Sequence, residues 1–418
     1  LRTLLQITII GVLTCCGFDT TAQSKHSFPV PIPKGDTTAY RPNDSEDPNK
    51  ETDLIDVVES VVKKHYHKRV DTNEQKTTKL HLSAVPAAGY TLQTGFAALI
   101  AANAVFYTAA EPAEKESAIT TNLTYSQYKQ ILFPMQSTIW TKDNKYNITT
   151  DWRYLKYPSL TYGLGMNTSL DDGYTIDYSA LKFHQTLSRK VTDALYLGVG
   201  YDFDYFWNIK EVDPPATAQT DFQKYGLSKT ELASGITLNF LYDKRPNPIN
   251  PDKGAFANII YRPNFTFLGS DNNWSSLVFD LRKYFKFPGS SRNVLAFWNY
   301  DWLTVAGKPP YLLLPNTGSD PYSNTGRGYI QGRYRDQNMI YFEGEYRFVI
   351  SHNGLFGGVI FANAQSFSST TNFTTIAPGY GAGLRIKLNK FSKTNLGVDY
   401  GIGIGGSRGF FVNLGEVF

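Results

Sequence analysis

Two catalytic signatures can be spelled from this sequence, and neither has around it the chain that its chemistry requires. Gly405-Gly406-Ser407-Arg408-Gly409 fits G-x-S-x-G, the pattern of a nucleophile elbow. Such an elbow needs a strand, a sharp turn and a helix to raise the serine Oγ, whereas these residues fall in the last hairpin turn of an alternating pattern. Gly401, Gly403 and Gly406 fit G-x-G-x-x-G, which cradles a pyrophosphate only where it opens a helix, and no helical pattern follows. The six histidines (26, 65, 67, 81, 184 and 352) are scattered. His65 and His67 are close in sequence, but two residues apart on a helix they point in different directions. Cys15 and Cys16 both fall in an apolar leader, so the rest of the chain offers no thiolate, disulfide or cysteine metal site. No catalytic residue, cofactor or metal is expected, and the chain does not read as an enzyme.

The elements that would carry any site are of one kind. The 418 residues hold Lys+Arg 41 against Asp+Glu 37, a net +4 that is too even for a strongly basic nucleic-acid binder. Aromatic residues make up 15% and charged residues 19%, where ordinary soluble domains carry about 25% charge. A mean hydropathy of −0.32 excludes a helical membrane protein. Residues 1–23 read as an export signal, with Arg2 before an apolar core from Leu4 to Phe18 and small residues after it. Acylation at Cys15 or Cys16 is the other reading of that stretch. Residues 24–79 form a polar tail that ends in a short amphipathic helix near 52–68. In it Leu54, Val57, Val61 and Tyr66 recur at helical spacing, with acids at its start and bases at its end. That helix packs on the main body or docks with a membrane surface or partner.

From residue 80 to 418 the period changes to two. In YFEGEYRFVI (341–350), Phe342, Tyr346, Phe348 and Ile350 face one way, while Glu343, Glu345 and Arg347 face the other. In ALYLGVGYDFDYFW (194–207), Leu197, Val199, Tyr201 and Tyr205 oppose Gly198, Gly200, Asp202 and Asp204. Apolar faces rich in aromatics and repeatedly charged opposite faces predict lipid outside and a hydrated lumen inside. About sixteen such segments run from 80–92 to 409–418, an even number. The fold class is therefore all-β: a sixteen-stranded antiparallel transmembrane barrel of the bacterial outer membrane. The longest connection, roughly 307–337, lies between the eleventh and twelfth strands, and a loop of that length usually has a function of its own.

That loop contains GRGYIQGRYRDQN, and the chain closes in GFFVNLGEVF. Together they resemble the BamA/TamA superfamily, the bacterial surface antigen family of sixteen-stranded barrels. The resemblance implies that the long loop folds into the lumen. Its Arg-Gly-Phe/Tyr element, here Arg327-Gly328-Tyr329, would contact acids on the twelfth strand, Glu343 or Glu345, and a position on the thirteenth. The family's Phe-x-Asp-x-Gly there stands as Phe361-Ala362-Asn363-Ala364-Gln365, so Asn363 can accept from the guanidinium but brings no charge. Asp243, Arg245, Pro251 and Gly254 match a family hairpin of the form Asp-x-Arg…Pro-x-x-Gly. Phe418 resembles the aromatic end of a C-terminal targeting signal carried by the last strand. Inward glycines at 397, 401 and 403 would make room for the loop.

The resemblance also draws attention to the seam between the first and last strands. Pro86 cannot donate to a ladder, and Gly89 packs little, with Gly415 facing them from the last strand. Weak pairing there would permit lateral opening; a bulge that only shapes the rim is the alternative. Family members usually carry POTRA domains before the barrel, and residues 24–79 match none, so the sequence resembles a POTRA-less branch. The function implied is assistance to the insertion or transport of outer-membrane proteins or lipids. The alternative is a passive or gated pore. Expected partners are outer-membrane lipid, unfolded outer-membrane proteins or lipids as clients, and a second copy or a separate periplasmic partner.

Overall fold

A residue that alternates between lipid and lumen must sit on a strand, and the period-two segments fold accordingly. The computed structural model describes residues 51–54, 56, 57, 60, 78, 80–91, 94–110, 114–215, 219–289, 291–390 and 393–418. The export signal, the polar tail to residue 50 and most of the expected helix lie outside the described residues.

The strands run β1 His81–Thr91, β2 Gly95–Phe106, β3 Ser117–Ser126, β4 Ile131–Trp140 and β5 Tyr146–Lys156. A short β6 Ser159–Thr161 precedes β7 Tyr174–Lys190, β8 Leu195–Val212, β9 Thr230–Asp243 and β10 Gly254–Asn264. Then follow β11 Trp274–Lys286, β12 Val294–Gly307, β13 Asn338–Val349 and β14 Phe356–Ser368. The last three are β15 Ala377–Asn389, β16 Thr394–Gly403 and β17 Arg408–Leu414. Both β5 and β6 pair with β7, so β6 continues β5 across a break and the wall has sixteen spanning strands. Each is antiparallel to its sequence neighbour, which is the cheapest pairing for short turns.

The outer face is apolar. Leu82, Ile100, Val199, Tyr380, Leu384, Phe410 and Leu414 are all exposed, as a lipid-facing belt must be. No described helix is long and apolar enough to cross a membrane; the crossing elements are the strands. Long connections (162–173, 213–229 and 308–337) gather at one end of the wall. A six-residue helix there, α1 Asp221–Gly226, is capped by the Thr220 side chain, which accepts from Gln223 N–H at 3.1 Å. Short turns lie at the other end, where the chain enters and leaves the barrel.

The interior differs from a hydrated lumen with glycine walls. Tyr284, Trp298, Tyr300, Tyr341 and Phe367 point inward and close around Tyr329, Tyr334, Val417 and Phe418 as one buried cluster. A second cluster at the long-loop end joins Tyr174, Phe206, Phe222, Trp274 and Tyr311. Along the side formed by β11–β17 the lumen is therefore a packed core, in which burial of apolar side chains holds the loop.

At the short-turn end, Glu51, Thr52, Asp53 and Asp56 lie against the turns of the wall. Asp53 and Asp56 cap each other: Asp53 N–H donates to Asp56 Oδ2 at 3.1 Å and Asp56 N–H to Asp53 Oδ1 at 2.9 Å. Burial pushes the Asp53 carboxyl above its ordinary value, against the Asp56 and Lys390 backbone N–H groups that favour its charged form.

Candidate functional site

The connection 308–337 turns back into the barrel, and its tip is fixed by the Asp320 carboxylate. Asp320 accepts from Thr325 N–H at 2.6 Å and from Tyr322 N–H at 3.2 Å, which closes the turn that presents Arg327. Gly328 has φ +106, and a Cβ there would lie 2.9 Å from the Ile402 carbonyl carbon. Only glycine meets both demands. The wall opposite is equally bare, because a Cβ at Gly401 would lie 2.6 Å from Gly328 N, and one at Gly379 2.8 Å from Arg327 O. Gly403 abuts the Tyr329 ring, while Gly397 makes room for Arg385 rather than for the loop.

Arg327 is 1% exposed and holds four groups at once. Its Nη2 donates to Glu343 and to Glu345, both on β13, and its Nη1 to Asp399 Oδ2 on β16 at 2.6 Å. The Phe361 ring lies under the guanidinium, 3.7 Å from it. A planar cation with donors on several edges suits this arrangement; a lysine ammonium would not. Tyr329 OH donates to Pro378 O at 2.6 Å and accepts from Ile404 N–H at 3.0 Å, which ties the loop to β15 and to the end of β16.

Asn363 departs from the expected role. Its Nδ2 donates to the Arg327 carbonyl at 2.9 Å, so it meets the loop backbone and does not accept from the guanidinium. The carboxylate lacking at 363 is supplied by Asp399. Gln365, the other departure from the family pattern, accepts from Thr317 Oγ1 at 3.0 Å and so also holds the loop.

The contact extends to the other end of the barrel. Arg385 donates to Asp399 and, through Nε, to Glu416 at 2.8 Å. Arg347 donates to Glu345 at 2.6 Å and to Phe418 O at 2.8 Å. Three arginines and four carboxylates thus form one chain of ion pairs from the loop tip to residue 416. Such a network is stabilising only when every member stays paired.

The last strand also differs from expectation. β17 ends at Leu414; Gly415 takes φ +93, donates to Asn395 O at 2.7 Å and lies beside Ile249 instead of facing residues 86–89. Residues 416–418 turn into the lumen. Phe418 stacks on Trp298 with centroids 5.2 Å apart, and Asn324 of the loop donates to Val417 O at 2.8 Å. Phe418 therefore lies in the lumen core and not at the lipid face of a strand. Phe418→Ala is expected to lower the unfolding midpoint in urea by an amount worth about 3 kcal/mol, as for a buried aromatic lost from a core.

At the seam, β1 pairs with β2, with Pro86 opposite Ile100 and Gly89 opposite Ala97. Among the described residues no ladder joins β1 to β17, so the sheet is not closed there. The hairpin residues sit at the short-turn end. Arg245 forks onto Asp243 through Nε at 2.9 Å and Nη2 at 2.8 Å, under the Phe256 ring. Pro251 is buried in the turn, and Gly254, at φ +102, passes the Lys244 carbonyl where a side chain would collide. This hairpin braces the turn next to Gly415 but does not touch Arg327.

Residues 118–415 match the family model of the Omp85 superfamily domain. BamA from Haemophilus ducreyi lacking POTRA domains 1-3 is similar in structure, with TM-score 0.53 and 13% identity over 82% of this chain and 70% of that one. CdiB from Acinetobacter baumannii gives TM-score 0.50 and 12% identity, over 81% of this chain and 60% of that one. For CdiB from Escherichia coli the values are 0.51 and 9%, over 80% and 62%. The chain thus spans about three fifths of either CdiB. No curated protein sequence matches significantly. At these identities the structural likeness is one of fold. The family match, however, runs from the third strand to the residue after the last, so it is a match to the barrel itself: the chain belongs to the Omp85 superfamily and resides in the bacterial outer membrane.

Proposed function

We propose that this barrel assists the insertion or transport of outer-membrane proteins or lipids through the seam between β1 and β17. The observation that carries the reading is that, among the described residues, the ladder that joins neighbouring strands does not join β17 to β1. β17 is only seven residues long, and the chain after it leaves the wall for the lumen. A strand edge that is not held by a continuous ladder is a template for another strand. The Arg327 loop, meanwhile, fills the lumen and leaves the seam as the route into the bilayer. A pore function would need the loop to leave; its contacts with β13, β15 and β16 favour a fixed plug. The likeness of the fold to BamA supports the same reading.

Cysteine pairs bridging Leu82–Ala88 of β1 and Arg408–Leu414 of β17 test it, since the native cysteines at 15 and 16 precede the barrel. Oxidised, seam-locked protein should fail to restore the content of other barrels or lipids in outer membranes depleted of it, and reduction should restore function. Normal function of the locked form would refute the proposal.

A further inference from the structure

The short-turn mouth of the barrel holds a recess of about 150 Å3 edged by Lys286, Arg292, Lys387, Lys390 and Lys393. Cations outnumber acids in its lining, where Asp252 pairs with Lys286 at 3.6 Å, and Glu51 sits in it. The Glu51 carboxylate pairs with Arg292 from the β11–β12 turn and with Lys387 of β15. Gly354 leaves the space for this: a Cβ there would lie 2.5 Å from Arg292 Nη2 and 3.3 Å from both the Glu51 carboxylate and Lys387 Nζ.

The residues after Glu51 are read as well. Thr52 N–H donates to Asn353 O at 2.9 Å, which is a main-chain contact with the β13–β14 turn. Lys390 N–H donates to Asp53 Oδ2 at 3.0 Å, and Lys390 Nζ pairs with Asp56 at 2.7 Å. Three carboxylates at the first, third and sixth positions of a six-residue segment are each met by a donor of the mouth. Two of them also cap the helical turn that they begin.

We propose that this recess is a docking site for acidic peptide segments of the form Glu-x-Asp-x-x-Asp, held here by the chain's own Glu51–Asp56 and open to the same element on a partner polypeptide. A peptide suits the site better than an anionic lipid headgroup, because Asn353 O and Lys390 N–H read main-chain position and helix capping as well as charge. Exchange is favoured by the site's place at a solvent-open mouth. Tethering at a local concentration in the millimolar range accounts for much of the occupancy. The inference is independent of the seam proposal and is tested without any client.

The test uses the full chain in detergent and a fluorescent synthetic peptide of residues 48–62. Glu51→Gln with Asp56→Asn vacates the recess, and this variant should bind the peptide at least about tenfold more tightly than the unmodified protein. Binding should weaken by about tenfold between 0.05 and 0.5 M salt. Adding Arg292→Gln and Lys387→Gln to the vacated variant should abolish it, with folding checked by heat-modifiable migration. Three results would each overturn the proposal: equal binding by vacated and unmodified protein, equal binding of a peptide whose acids are amides, or no effect of the Arg292 and Lys387 changes. Displacement by phosphatidylglycerol micelles as readily as by unlabelled peptide would overturn it too, in favour of a lipid headgroup site.

Discussion

Arg327→Ala is expected to destabilise the folded barrel by about 3–5 kcal/mol and to release the loop from the lumen. The size follows from what is left behind. Glu343, Glu345 and Asp399 are buried around the guanidinium, and Arg347 and Arg385 already divide their donors among Glu345, Asp399 and Glu416. Removing one cation from three leaves four carboxylates facing two arginines, in a place where water replaces the lost partner poorly. Arg327→Lys keeps the charge but loses the planar fork that reaches two strands, so it should recover only part of the loss. Urea unfolding followed by tryptophan fluorescence checks the first expectation, helped by Trp298 in the loop's own core. Planar-bilayer conductance checks the second: small steps for the unmodified protein and a large steady conductance for Arg327→Ala. An unchanged small conductance would show that the aromatic contacts of Tyr329 and Tyr334 hold the loop without the arginine.

The parts of this site that could be read from the sequence are those fixed by strand periodicity. Glu343 and Glu345 share a face because they are two apart on a strand, whatever the rest of the chain does, and Asp399 shares a face with Gly397 and Gly401 for the same reason. Which arginine each acid meets is not a local property. Arg327 joins β13 to β16 across two intervening strands, and only closure of the curved wall sets that distance. Inward aromatics such as Trp298 were hidden for a related reason: in β12 both faces carry aromatic residues, so alternation cannot tell lipid from core. The end of β17 has a signal in the sequence. Gly415 is the residue type that permits a positive φ, and a strand that reaches such a glycine can leave its ladder there. The docking of Glu51, a residue of the polar tail, is not legible in the sequence, because its partners Arg292 and Lys387 stand more than 200 positions away.

Asp399→Asn should be nearly as costly, about 3–5 kcal/mol, because that one carboxylate accepts from both Arg327 and Arg385. Its position makes a second experiment possible. In the family pattern the acid at this contact belongs to the strand that here carries Asn363, directly opposite Glu343 in the β13–β14 register. Asn363→Asp alone should destabilise by about 1–3 kcal/mol: it removes the donor to the Arg327 carbonyl and sets a new carboxylate beside Glu343. Combined with Asp399→Asn, the same change restores a negative charge beside the guanidinium. The double variant should then be more stable than the sum of the two losses by about 1 kcal/mol or more. Recovery should be partial, because a carboxylate at 363 can serve Arg327 but leaves Arg385 with Glu416 alone. Urea midpoints of the four proteins measure this coupling. Strict additivity would mean that positions 363 and 399 do not share the guanidinium, and that Asp399 belongs to the Arg385–Glu416 pairing rather than to the loop contact.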